Sequence, residues 1–155
     1  MPERVCEYPR PPALQASSQH IVVRALGQLV AETRSSFRVL ETFHPPTYYL
    51  PTESFAEGAL VPAGGRSFCE WKGIASYFDI AVGDRCLAKA AWSYANPTPS
   101  FAPIAGWIAL YPGLMDGCWI DGELVRPQPG GFYGGWITSG VEGPFKGDPH
   151  HPELI

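Results

Sequence analysis

The stretch Ile21-Val22-Val23-Arg24-Ala25-Leu26, followed by Gly27-Gln28 and then Leu29-Val30-Ala31, decides the fold class. Branched and apolar residues dominate six positions, a glycine-containing pair interrupts them, and apolar residues return at once. This pattern marks a β-hairpin closed by a two-residue turn, in which glycine supplies the positive φ that a right-twisted hairpin requires. The arrangement recurs twice. Phe78-Asp79-Ile80-Ala81-Val82 precedes Gly83-Asp84 and Arg85-Cys86-Leu87, and Cys118-Trp119-Ile120 precedes Asp121-Gly122 and Glu123-Leu124-Val125. A further strand is expected over Phe37 to His44. Its alternation sets Phe37, Val39, Glu41 and Phe43 on one face and Arg38, Leu40, Thr42 and His44 on the other. Pro45-Pro46 ends it.

Helical periodicity is weak outside two short stretches, Thr52 to Glu57 after Pro51 and about Pro99 to Ala105. The 155 residues include 17 Pro and 17 Gly, more than a fifth of the chain; the usual share is about 12%. Prolines so scattered break any longer helix. The expected fold is therefore mainly β: a single compact domain of antiparallel hairpins forming a small barrel or two packed curved sheets, with one or two short helices. Residues 1–18 read as an N-terminal arm and 148–155 as a C-terminal tail, lying over the surface or disordered, with the β domain spanning 19–147.

Composition bounds the function. With 45% hydrophobic and 13% aromatic residues, the chain can build a core; at this length roughly 70% of the unfolded surface is buried without help from disulfides or metal. Lys and Arg number 11 against 15 Asp and Glu, a net charge of −4, and no basic cluster exceeds two residues. A nucleic-acid partner recognised through phosphate charge is excluded on that ground. The N-terminus has no apolar leader, and the longest apolar run, Ile104 to Tyr111, is too short to span a bilayer, so no membrane partner is expected and the protein is read as cytoplasmic. Cysteines stand at 6, 69, 86 and 118 with no C-x-x-C pair. Free thiols are expected, with Cys86 and Cys118 buried as small hydrophobes.

Several segments stand out together: Arg38-Val39-Leu40-Glu41, His44-Pro45-Pro46-Thr47-Tyr48-Tyr49-Leu50-Pro51, Cys69-Glu70-Trp71-Lys72-Gly73-Ile74-Ala75-Ser76-Tyr77, Trp92-Ser93-Tyr94 and Phe132-Tyr133-Gly134-Gly135-Trp136. In this order, from about Val22 to Gly147, they resemble the domain-of-unknown-function 427 family. The resemblance implies a compact, mainly β single domain. The family is sometimes labelled nucleotidyltransferase-like, but metal-dependent nucleotide transfer wants paired carboxylates on neighbouring strand positions, and no Asp-x-Asp is present. Phosphate-binding glycine loops and the Gly-x-Ser-x-Gly elbow are missing too.

The residues able to carry chemistry each admit two readings. Glu41, on an apolar strand face, is either a site carboxylate or a structural one satisfied by a cation or a backbone N–H. His44, at the strand end before two prolines, is either an acid/base or ligand donor facing a cleft or a packing histidine. Their alternation parity differs, so they share a site only if the Pro-Pro turn or a bulge redirects His44. Lys72, in Trp71-Lys72-Gly73, is placed to meet an anion or is simply solvated; Phe145-Lys146-Gly147 repeats that pattern. Cys69 is a nucleophile activated by Lys72 or an inert thiol.

Tyr48, Tyr49, Trp71, Tyr77, Trp92, Tyr94, Tyr133 and Trp136 wall a pocket for a planar ligand or fill a core. The glycines between Tyr133 and Trp136 allow close backbone approach. Asp148, His150, His151 and Glu153 lack ligand spacing, so neither a metal nor another cofactor is expected. The leading expectation is a small-ligand-binding β domain with an aromatic-walled pocket for an anionic or planar metabolite, bearing Glu41, His44 and Lys72. The alternatives are a metal-independent enzyme with Glu41 or His44 as acid/base and Lys72 stabilising charge, or a structural or protein-interaction module. Oligomeric state is left open.

Overall fold

The computed structural model describes residues 2–131 and 133–154. Phe132, named in the Tyr133-Gly134-Gly135-Trp136 motif, lies outside the described residues. The first third of the chain supplies β1 (Glu3–Arg4), β2 (Ala13–Ser17), β3 (Ile21–Ala25), β4 (Gln28–Thr33), β5 (Ser36–Leu40) and β6 (Thr47–Tyr49). The middle supplies β7 (Leu60–Cys69), β8 (Gly73–Val82), β9 (Arg85–Ser93) and β10 (Ile108–Leu110). Then follow β11 (Gly117–Ile120), β12 (Glu123–Leu124), β13 (Arg126–Pro127), β14 (Trp136–Ile137) and β15 (Val141–Glu142). Short 3-10 turns occupy Val5–Glu7, Thr52–Ser54, Pro99–Ile104 and Pro112–Leu114.

The strands form one mainly β domain built from several antiparallel sheets, and no closed barrel is seen among the described residues. One sheet runs β10-β9-β8-β7, a second β12-β11-β3-β4 and a third β2-β5-β6. A small antiparallel pair joins β13 to β14, and the parallel pair β1-β15 joins the two ends of the chain. The three hairpins legible in the sequence are present. Two close where expected, at Gly83-Asp84 and Asp121-Gly122. The first closes one residue early, at Leu26-Gly27, because both turn residues must take positive φ (51° and 79°) and Gln28 already pairs with Ala25.

Alternation then sets the core. Ile21, Val23 and Ala25 of β3 are buried while Arg24 between them is exposed. Each fully buried Val or Ile contributes about 1.5–3 kcal/mol. These side chains meet Val30, Leu50, Ile80, Ile108, Leu110 and Trp136 in one cluster. A second cluster of Val39, Tyr49, Ala75, Tyr94, Phe101, Ile104 and Ala109 lies beside Trp71, Trp92 and Cys69.

Two expectations need correction, the extent of the strand after Phe37 and the burial of Cys86. The strand expected over Phe37 to His44 stops at Leu40, because Glu41 to His44 folds into a turn with Phe43 at φ 66°. In the N-terminal segment, β2 pairs with β5 along its whole length, and Val5 is fully buried. Cys86 is exposed, since it sits near the β8–β9 turn on a strand whose neighbouring positions face solvent, while Cys118 is buried. All four cysteines are unpaired. No helix of the described residues is long and apolar enough to cross a membrane.

Candidate functional site

The Glu41–His44 turn is held from three sides. His44 N–H donates to Glu41 C=O at 2.9 Å, closing the turn. Phe43 N–H donates to Val5 C=O at 3.0 Å, and Lys146 N–H donates to Phe43 C=O at 2.7 Å, so both ends of the chain grip it. Thr42 Oγ1 adds a bond to Tyr8 C=O at 2.6 Å. The turn overrides strand parity and carries Glu41 and His44 into one cavity, with Glu41 Oε2 3.9 Å from His44 Nε2.

Gln128 defines the imidazole. Its Nε2 donates to Lys146 C=O at 2.8 Å and stands 3.1 Å from His44 Nδ1. A carbonyl only accepts, so this atom is the amide nitrogen, and it donates to Nδ1 as well. Neutral His44 therefore carries its proton on Nε2, facing Glu41. Burial pushes the His44 pKa below its usual 6.5; the Glu41 carboxylate opposes that push, and Lys146 adds to it.

Lys72 occupies the tight connection between β7 and β8. Thr98 fastens this connection from outside, its N–H donating to Lys72 C=O at 3.0 Å and its Oγ1 to Trp71 C=O at 2.6 Å. Gly73 follows at φ 110°, a conformation that a side chain would strain. Lys72 is only 9% exposed. Its Nζ lies 5.8 Å from the ring centroids of Tyr94 and Phe101. Among the described residues it has neither an ion pair nor a side-chain hydrogen bond.

Rings build the walls of the cavity, which measures about 510 Å³. Trp92 stacks at a tilt on Tyr111 with centroids 4.7 Å apart, and its Nε1 donates to Tyr49 Oη at 3.2 Å. Burial raises the hydroxyl pKa of Tyr49 and of Tyr94, so both remain protonated donors. Tyr133 meets the edge of His44 at 5.2 Å, with Lys146 Nζ 5.8 Å from the same ring. A Cβ on Gly134 would fall 2.3 Å from Trp92 Cη2, and one on Gly135 would fall 2.5 Å from both Pro45 Cγ and Gln128 Oε1. The absence of side chains there lets the backbone close the wall.

Of the residues singled out in the sequence, Glu41, His44, Lys72, Tyr49, Trp71, Tyr77, Trp92, Tyr94 and Tyr133 line this cavity, as do Cys69 and Lys146. Tyr48 and Trp136 do not. They pack on each other in the core, centroids 5.0 Å apart, and Trp136 is 1% exposed. Gln128 and Phe68 also line the cavity and were not anticipated. Gln128 had a signal: Pro127 and Pro129 flank it and restrict its backbone. Among the described residues, no three His, Cys, Asp or Glu side chains form a group that could hold a metal ion.

Residues 13–121 match the family described as a domain of unknown function (DUF427). The chain belongs to that family. The matched span of this DUF427 domain includes Glu41, His44, Lys72, Trp92 and Tyr94, while Gln128, Tyr133 and Lys146 complete the cavity from beyond it. The family's short name refers to nucleotide transfer and assigns no residue a role. No curated protein matches the chain.

Proposed function

We propose that this DUF427 domain is a small-ligand-binding protein whose cavity takes a planar, anionic metabolite, with Lys72 as the counter-charge and the surrounding rings as stacking walls. The observation that carries this reading is Lys72, nine-tenths buried on the cavity wall with no carboxylate paired to it among the described residues. Its stem is buried while its ammonium, beside the Tyr94 and Phe101 rings, lines the cavity, where a ligand carboxylate or phosphate would meet it. His44 as the Nε2–H tautomer and the Tyr49 and Tyr94 hydroxyls supply neutral hydrogen-bonding groups on the walls. The four free thiols fit a reducing, cytoplasmic setting.

The test is calorimetric titration with nucleotides and aromatic carboxylates. At least one is expected to bind wild type and to lose about 1.5–3 kcal/mol on Lys72→Met, the worth of a charge-assisted hydrogen bond. Absence of binding across the panel, or a variant that binds equally well, overturns the reading. The Glu41–His44 contact favours a second reading, proton transfer on the bound molecule. Glu41→Gln would then abolish turnover while binding persisted.

A further inference from the structure

The cavity at Lys72 is bounded in part by Tyr77 and Tyr111. These two residues, with Gln128 and Tyr133, also wall a second hollow of about 670 Å³, closed on its other side by Lys89, Leu114 and Pro127. The chain has three lysines, Lys72, Lys89 and Lys146. All three line this double cleft, and none forms an ion pair among the described residues. Of the eight arginines, Arg4 and Arg38 pair with carboxylates. Glu41 and Glu70 line the first hollow beside Lys72 and Lys146, whereas Lys89 is the one charged residue among the described lining of the second, which leaves that end positive.

Lys89 is held in place by its backbone. It takes φ 49° inside β9, where the register against β8 shifts, and its N–H donates to Asp79 Oδ1 at 2.8 Å. Such conformations persist only where the surroundings enforce them. Its Nζ lies over Gly65, within 3.1 Å of where a Cβ would be. Lys72 adjoins Gly73 at the start of β8, and Asp79 lies six residues along that strand. At about 3.3 Å per residue, the two lysine backbones stand about 20 Å apart, with Tyr77 between them.

We propose that the ligand of this cleft is an elongated molecule with two separated anionic groups, one met by Lys72 and the other by Lys89, its ring system lying against Tyr77 and Tyr111. This rests on the pocket reading above and specifies the class of ligand. Each anionic group is a carboxylate or a phosphate.

The test uses paired probes in calorimetry at low ionic strength: biphenyl with a carboxylate at one end or at both, the longer stilbene pair, and the same skeletons ending in phosphate esters. In at least one pair the doubly charged member is expected to bind about fivefold tighter, the effect of one exposed charge contact. Lys89→Met, with Lys89→Gln as a second variant checked for unchanged melting, removes that advantage, and Lys72→Met weakens both members. The carboxylate and phosphate arms identify which anion is preferred. Equal affinities within every pair, or an advantage that survives both Lys89 variants, overturns this inference while leaving the pocket reading in place. Failure of wild type to bind any probe overturns both.

Discussion

At His44 the two ring nitrogens face different partners, Nδ1 the Gln128 amide and Nε2 the Glu41 carboxylate. Because burial lowers the folded-state pKa, the unfolded chain takes up the proton first as the pH falls. The stabilisation from neutral His44 is full above about pH 6.5 and is lost as the pH falls through its lowered value. Histidine ring NMR is expected to show His44 titrating below 6.5. Glu41→Gln should lower the midpoint further, and Lys146→Met should raise it. Lys72 gives a second prediction: Lys72→Met keeps an apolar chain of similar reach and removes the charge, so the ligand-free variant loses no more than about 1 kcal/mol in urea unfolding, the worth of its ring contacts, while losing ligand affinity. The residue types at this site were legible in the sequence. The convergence of Glu41 and His44 was not, because strand alternation parted them and only the contacts from Val5 and Lys146 reveal the turn.

At the scale of elements, the β7–β8 hairpin carries Lys72, and Thr98 clamps its tip. Thr98→Val removes the hydroxyl bond to Trp71 C=O at a cost of about 1 kcal/mol in stability. Ligand affinity should fall along with it, as titration would show. Gly134→Ala and Gly135→Ala force a methyl into Trp92 or into Pro45 and Gln128. Each should lose about 1–3 kcal/mol in denaturant unfolding. The hairpins around Gly83-Asp84 and Asp121-Gly122 could be read from sequence, since a short turn between two apolar runs is a local signal. β7 could not. Pro62 and Gly64-Gly65 interrupt its alternation, and its register against β8 shifts between Pro62 and Arg66. Most of its side chains also face solvent, so no apolar face marks it as a strand.

Over the whole molecule, the two chain ends close the structure around the site. β1 pairs with β15, Val5 sits in the interior, and Arg38 joins Glu3 at 3.0 Å. The hydrogen bond from Arg38 holds the Glu3 carboxyl below its usual pKa of 4.5. That small stabilisation is present above pH 4.5 and lost as the pH falls through the lowered value. Removing residues 1–18 would strip β2 from β5 and release the Glu41–His44 turn. Hydrogen exchange is expected to show lost protection in β5 and β6, with probe binding abolished. The sequence concealed this closure because Pro-rich ends with few apolar residues look unstructured, and the pairing of residue 3 with residue 141 leaves no local trace.

Native mass spectrometry of wild type and Lys72→Met, each mixed with the planar anions, bears on the whole account at once. A discrete small-molecule adduct on wild type that is absent from Lys72→Met is the predicted result. A bare wild-type mass with every compound, or an adduct that persists in the variant, would contradict a cavity organised around the Lys72 charge.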